Sequence, residues 1–338
     1  MRRSTARLAR SQVLLAELEF PQVEVQIHRT RLPFIHLDNL LDYAKIDRDG
    51  RVDGYITVYL PDELTVLFME GGELRTAVGY QEDGRRVLAI PTALRHIRDH
   101  MERGELAFAT APREQLAWMY QSCAEPATAR FIDAGQPEQL LPALRHEVFS
   151  GVLELIVNGQ VSYLQFEVGE FVRGYFTNMQ DGENVEEFVK RMLDPDPEGQ
   201  LPRVSAKVFK HSTSVPEQAS SKFVETYRTV FWGIVERADA VASGGALKQA
   251  IKYRDLVKTM YPSLEAIGQP LDQDPVSVVA TPHQLTAALS EWARQFLEQI
   301  EIVAPGVAAE TLAGATKDHR FVLQKHGFFD GLPWKVSW

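Results

Sequence analysis

One stretch of this chain occurs twice, and that repetition limits what it can fold into. Gly151-Val-Leu-Glu-Leu-Ile-Val-Asn-Gly-Gln-Val-Ser-Tyr-Leu-Gln-Phe-Glu-Val-Gly-Glu-Phe-Val-Arg-Gly-Tyr175 holds three runs of β-forming residues. They are broken at Asn158-Gly159 and at Glu167-Val168-Gly169-Glu170, which reads as a three-stranded meander. Sliding the chain back from Gly151 to Gly54 without a gap lays Glu167 on Glu70, Gly169 on Gly72 and Glu170 on Glu73. The same elements surround each copy. A short leucine-rich helix precedes it (Leu37, Leu40, Leu41; Leu140, Leu141, Leu144). A helix and a fourth strand follow it, Glu105 to Thr110 in the first copy and Val204 to Phe209 in the second. The expected fold class is α+β: two repeated antiparallel β-meander plus helix modules, followed by an all-α C-terminal region. The expected divisions are 1–33, a basic N-terminal helix and strand; 34–133, the first module; 134–240, the second; and 241–338, the helical region.

At 338 residues, 45% apolar and 24% charged, the chain has ordinary globular composition with room for two or three cores. Its net charge of -10 and pI near 5.5 disfavour general binding to nucleic acid or to an anionic membrane, both of which need positive charge. Arg2, Arg3, Arg7 and Arg10 make the start locally basic, ahead of Val13, Leu14, Leu15 and Leu18. That apolar stretch is too short for a membrane span. It reads as a solvated basic helix, with a weak membrane or partner tether as the alternative. The single cysteine, Cys123, excludes an intramolecular disulfide framework and fits a reducing cytoplasm.

Beyond the repeat, Thr281-Pro-His-Gln284 carries a threonine cap, a proline at the first helical position and a glutamine at the third. Ala288, Trp292, Phe296 and Ile300 then recur at helical spacing as a core stripe. A last helix is expected from Val307 to about His326, followed by a tail bearing Trp334 and Trp338.

Signals for chemistry are sparse. The Asp47-Arg-Asp-Gly-Arg-Val-Asp53 run fails the register of a calcium loop, because a glycine at the sixth place sets Lys45 first and Ile56 twelfth. His96 and His100 lie four apart, but Ile97 stands where a metalloprotease motif places its glutamate, and no third ligand is evident. Neither phosphate-loop glycine pattern occurs. No nucleophile lies beside a base and an orienting acid. No catalytic, cofactor or metal residues are therefore assigned. The most specific local feature is the pair of turns, Glu70-Gly-Gly-Glu73 and Glu167-Val-Gly-Glu170. Their glycines supply a left-handed conformation and their acids keep the turn solvated, which is a sufficient structural reason. A partner-binding role is the competing reading.

The leucine-rich helix, the glycine, and strands closing on an acid-x-Gly-acid turn resemble the PATAN domain, a bacterial signalling module. Ser150-Gly-Val-Leu-Glu-Leu155 and Tyr163-Leu-Gln-Phe-Glu-Val-Gly-Glu-Phe-Val-Arg-Gly-Tyr175 are the best match; the resemblance covers about 34–210 and leaves the C-terminal third unplaced. The family often ends its third strand with histidine then alanine, whereas this chain has Thr76-Ala77 and Arg173-Gly174. The resemblance implies a non-catalytic cytoplasmic adaptor or scaffold in signal transduction or cell polarity. Its partner would be a signalling protein supplied in trans, with a receiver domain or a small GTPase as candidates. The candidate partner-binding residues are Glu70, Glu73, Glu167, Glu170, Arg173 and Trp334; Gly54, Gly72, Gly151 and Gly169 are the structural turn glycines. The chain is expected to bind no nucleic acid and to make no stable membrane insertion, with homo-oligomerisation open. The alternative is a structural subunit of a larger assembly that uses the tryptophan tail and apolar helices as its interface.

Overall fold

The computed structural model describes residues 6–8, 12–46, 52–124, 128–130, 132, 136–241, 244–273 and 278–338. It divides into two compact units, Met1–Pro216 and Glu217–Trp338. In the first module, β1 (Glu24–Arg31), α1 (Leu37–Ile46), β2 (Gly54–Tyr59), β3 (Leu64–Glu70), β4 (Glu73–Gln81), β5 (Gly84–Leu88), α2 (Ile90–Asp99) and β6 (Glu105–Thr110) build a six-stranded antiparallel sheet. Its order is β1-β6-β2-β3-β4-β5. After α3 (Arg113–Ala124), the second module contributes β7 (Thr128–Ala129), α4 (Leu140–His146), β8 (Gly151–Val157), β9 (Gln160–Glu167), β10 (Glu170–Tyr175), α5 (Val185–Leu193) and β11 (Val204–Phe209). Its sheet runs β10-β9-β8-β11-β7.

The duplication holds down to register. Gly54 faces Met69 and Gly151 faces Phe166; Glu70 faces Glu73 and Glu167 faces Glu170. A bulge interrupts the third strand at the same place, between Leu74 and Thr76 in one copy and between Phe171 and Arg173 in the other. The two acid-glycine turns are fastened alike. Gly71 donates its N–H to Asp53 Oδ1 (2.6 Å) and Gly72 to Val52 O (3.0 Å). Val168 donates to Ser150 Oγ (2.8 Å) and Gly169 to Phe149 O (2.8 Å). Both central residues of each turn have positive φ, the two-residue hairpin geometry that matches strand twist. Gly72 and Gly169 also touch their leading helices, where a Cβ would lie 2.4 Å from Ala44 O and 2.8 Å from Arg145 Cα. Gly54 and Gly151 open strands rather than sit in turns. They are small because a Cβ would strike the fourth strand at Ala109 O (2.3 Å) or Phe209 O (2.7 Å).

Every residue of β8, and nearly every residue of β2, β3 and β9, is buried, so both faces of each sheet are covered. The outer face of the first sheet packs Ile56, Val58, Leu67 and Ala77 against Leu37 and Leu40 of α1 and Ala93 and Ile97 of α2. The outer face of the second packs Leu153, Leu155, Leu164 and Phe166 against α4 and α5. The inner faces meet in one shared core. Tyr55, Val66, Phe68, Val78 and Tyr80 of the first sheet cluster there with Val152, Ile156, Val161 and Tyr163 of the second. Between them lie Leu116, Ala117, Trp118 and Met119 of α3, a helix buried nearly all round because it has a sheet on each side.

The N-terminal segment differs from expectation. Among its described residues the only helical piece is a single 3-10 turn, Leu15–Glu17. Ala6, Leu8, Val13, Leu15, Leu18 and Phe20 are buried in the shared core, and Glu19 exchanges backbone hydrogen bonds with Gly159 and Val161 of the second module. The apolar residues alternate as a strap that fills the seam, so a solvated helix would give up all of that burial. Arg2, Arg3 and Arg10 lie outside the described residues, as do residues 47–51 of the aspartate-rich run, Ser243 and Pro275.

The second unit holds α6 (Ser221–Val241), α7 (Ala246–Val257), α8 (Leu264–Ile267), α9 (Pro282–Val303), α10 (Val307–Thr316) and α11 (Arg320–Lys325). The boundary therefore falls after Pro216 and not at 240. Val224, Tyr227, Phe231 and Ile234 of α6 pack in one core with Leu289, Trp292 and Phe296 of α9. The capping box at Thr281 forms in full, with Gln284 N–H donating to Thr281 Oγ1 (3.2 Å) and Thr281 N–H to Gln284 Oε1 (2.9 Å). Trp292 stacks on Phe231 (3.9 Å) and Phe296 (5.2 Å) as the central layer. The expected last helix is divided into α10, a 3-10 turn and α11. No helix among the described residues is long and apolar enough to cross a membrane.

Candidate functional site

The seam between the two modules holds the most unusual chemistry in the protein. Arg85 of β5 reaches Glu154 of β8 with two parallel hydrogen bonds, Nη1 to Oε2 (2.7 Å) and Nη2 to Oε1 (2.6 Å). Their side chains are 2% and 1% exposed, and Arg85 also donates to Ser122 Oγ of α3 (3.2 Å). One ion pair thus ties three elements from both modules. Burial alone would raise the Glu154 pKa, but the Arg85 charge and its hydrogen bonds prevail and hold the carboxyl below its ordinary value of 4.5. Around the pair, the hydroxyls of Tyr80 and Tyr163 are pushed well above their ordinary value by burial. The Cys123 thiol is raised for the same reason, which disfavours its thiolate form. The Tyr163 hydroxyl and Arg85 Nε make no hydrogen bond, so this buried network is incompletely satisfied.

A second cluster closes the seam at its edge. Glu114, in the first turn of α3, accepts from Tyr175 Oη (3.0 Å) and pairs with Arg173 Nη1 (2.6 Å) and His211 Nε2 (3.1 Å). Trp118 packs against both Tyr175 and His211. Beside the strap lies a cleft of about 480 Å³, lined by residues of β1, β2 and β6, by Glu19 to Gln22 and by the 176–179 segment. Its arginine is engaged: Arg29 lies 3.7 Å over the Tyr59 ring, donates to Ala16 O (2.7 Å) and pairs with Glu105 (2.5 Å). Tyr55 and Tyr59 donate to strap carbonyls. No nucleophile meets a base there, and among the described residues no three metal-ligating side chains converge. His96 of α2 and His100, the residue that caps its end, stand 4.4 Å apart ring to ring, and no third ligand joins them among the described residues.

The residues singled out in the sequence are distributed as follows. Glu73 pairs with Lys45 at the end of α1 (3.4 Å), and Glu170 pairs bidentately with Arg145 at the end of α4 (2.9 and 3.0 Å). Glu70 lies 3.9 Å from Arg75, and Glu167 accepts from Gln165 Nε2. Each turn is therefore clamped to its own outer helix, one on either side of the shared core. Arg173 belongs to the Glu114 cluster. Trp334 is half-buried against the helical core, and Trp338 packs on Phe329 (5.4 Å). The tail docks on its own bundle.

The surface that sequence reasoning missed adjoins the second turn. Val168 has φ 51° and is 68% exposed; Val148, just past α4, has φ 53° and is 56% exposed. Both abut Phe149-Ser150, since the Val168 and Gly169 amides bond to that dipeptide. Val148 occupies the left-handed position of a Schellman cap, with Val148 N–H on Arg145 O and Phe149 N–H on Leu144 O, where glycine is usual. Val172, 45% exposed, sits at the bulge of β10. β10 is an edge strand, and among the described residues nothing pairs with its outer side. The sequence signal was available: a valine at the second place of Glu-x-Gly-Glu, where the first copy has glycine.

No protein-family model matches the chain, and comparison with curated proteins and with solved structures finds no significant match.

Proposed function

We propose that this protein is a non-catalytic adaptor of the PATAN-like kind, working in the bacterial cytoplasm and binding a signalling protein through the β10 edge of its second module. The observation that carries the reading is the pair of exposed valines in left-handed conformation. A β-branched residue there costs roughly 1–2 kcal/mol. Neither valine repays that cost by burial within the chain. Such residues make sense where another surface covers them, beside a strand edge able to accept an added strand. The chemistry of the seam fits the same reading, since its buried charges, Arg85 and Glu154, are locked into a pair that holds the modules together. A receiver domain or a small GTPase is the partner class that the resemblance implies.

The test is capture from cell extract with wild-type protein and with Val148→Asn/Val168→Asn/Val172→Glu, followed by binding of the recovered protein in purified form. The expected result is a receiver-domain or GTPase partner held by the wild type and lost from a variant that remains folded. A signalling partner held equally by both proteins would remove the β10 edge from the proposal. Turnover of a metabolite by the purified protein, with no such partner recovered, would remove the adaptor role.

A further inference from the structure

The C-terminal unit carries a second surface, unrelated to the β10 edge. A groove of about 460 Å³ runs between α6, the start of α7 and the 270–272 turn. Its apolar lining is Trp232, Val235, Leu247, Pro270 and Leu271; its remaining lining residues are Glu236, Asp239 and Asp272. The groove is preformed. Arg228, buried on α6, donates to Pro270 O and to Gln273 O (2.9 Å), and Trp232 Nε1 donates to Gln269 O (2.6 Å), so α6 fixes the far wall. Trp232, Val235, Glu236 and Asp239 fall on one face of α6 by their spacing. Leu247 and Leu271 are 46% and 53% exposed, which is apolar surface held open to solvent.

The charge is one-sided. No lysine or arginine lines the groove, and among the described residues neither Glu236 nor Asp272 has a cationic partner; Asp239 is engaged only by the Ala246 N–H (3.0 Å). Three carboxylates around an apolar trough repel one another and anionic ligands, and they attract a cation that arrives with an apolar anchor. The volume lies within the range of a small binding site and suits one or two large aliphatic or aromatic side chains. We infer that this groove docks a basic amphipathic helix of a partner protein, with a leucine-class or aromatic side chain seated between Trp232 and Leu271 and lysine or arginine one turn away facing Glu236, Asp239 and Asp272.

The experiment uses the full chain and two fluorescent 14-residue model peptides, one of leucine and lysine at helical spacing and one with glutamate in place of every lysine. Anisotropy titration at about 150 mM salt is expected to show saturable binding of the lysine peptide at least 10-fold tighter than the glutamate peptide. Glu236→Lys/Asp272→Lys should weaken the lysine peptide at least 10-fold, and Leu271→Asp should do the same although it adds a negative charge to the groove, because it removes the apolar wall. Glu310→Lys/Asp318→Lys, the same charge change at residues that do not line the groove, should shift affinity less than 3-fold. The inference is overturned if both charge-swapped proteins lose affinity equally, because general attraction to an acidic protein then explains the binding. It is also overturned if the glutamate peptide binds as well, or if Leu271→Asp has no effect in a protein with wild-type circular dichroism. None of these outcomes bears on the β10 edge.

Discussion

Replacing Glu154 with glutamine keeps the shape of the seam but leaves the Arg85 guanidinium buried without its counter-charge. The side chains are 2% and 1% exposed and joined by two hydrogen bonds of 2.6 and 2.7 Å. Breaking a buried pair of this kind from one side costs about 3–5 kcal/mol. At 1.36 kcal/mol per factor of ten, the seam opens about 150- to 5,000-fold more often. Replacing both partners, as Arg85→Met/Glu154→Leu, removes both desolvation penalties along with the attraction and is expected to be neutral or stabilising by about 1–4 kcal/mol. The incompletely bonded Arg85 Nε and Tyr163 hydroxyl favour that outcome. Hydrogen exchange on the full chain, read in peptides covering β3, β8 and β9, measures the opening directly. The pH dependence gives a second arm. The folded-state pKa of Glu154 is depressed, so its contribution is complete above the ordinary value of 4.5 and is lost as pH falls through the lower folded value. Protection in the wild type should therefore fall in acid more steeply than in Glu154→Gln. If the single and double replacements weaken protection equally, the polar pair adds net stability and the desolvation reasoning is wrong.

Three further outcomes are expected. Tyr55, Tyr80 and Tyr163 are raised chiefly by burial, so they favour the folded state below pH 10 and oppose it as the unfolded chain ionises above that value. Stability should drop by up to about 1.4 kcal/mol per pH unit for each, seen as a falling urea midpoint from pH 10 to 11. Gly72→Ala and Gly169→Ala should each destabilise by about 1–3 kcal/mol in urea titrations, since both add a Cβ within 3 Å of a helix backbone at a left-handed φ. Val168→Asn should raise stability by about 1 kcal/mol, because asparagine tolerates the conformation in which valine is strained; thermal unfolding that shows a loss would remove the strain argument.

Much of this architecture is legible in the residues. The gapless overlay of Gly54 on Gly151 predicted equal registers, and it carried the bulge and the turn fastening with it, because both are local to the meander. The capping box at Thr281 and the stripe from Ala288 to Ile300 are also local and formed as expected. What sequence reasoning missed was decided at long range. The uninterrupted burial of β8 requires a cover on both faces, but only the fold shows that the cover is the other copy. Glu154 was the overlooked signal, a lone charge at the centre of Val152 to Val157, answered by Arg85 on β5, a strand that the sequence reading did not assign. The strap misled for a related reason. Its arginines suggested solvent, whereas Leu15, Leu18 and Phe20 had a seam to fill.

The two copies differ at their outer strand edges and in the helix after the fourth strand. In the first module, β4 runs on to Gln81 and is covered by β5, whose Arg85 is committed to the seam. In the second, β10 stops at Tyr175 and among the described residues no strand lies on its outer side, so the equivalent edge stays open. The helix after the fourth strand also differs: α3 fills the space between the sheets of the first unit, whereas the corresponding α6 belongs to the core of the helical unit. Duplication therefore yields a fixed pair with unequal ends. The apolar inner faces are consumed by pairing and are unavailable to a partner. On the proposed adaptor reading, a partner would use what pairing leaves over, and in the second module that remainder is a strand edge flanked by Val148, Val168 and Val172. A variant of the first module that deletes β5 would expose a second edge, but it would also remove Arg85 from Glu154. The edge cannot be opened there without loosening the seam, because the strand that covers it is the one that carries Arg85.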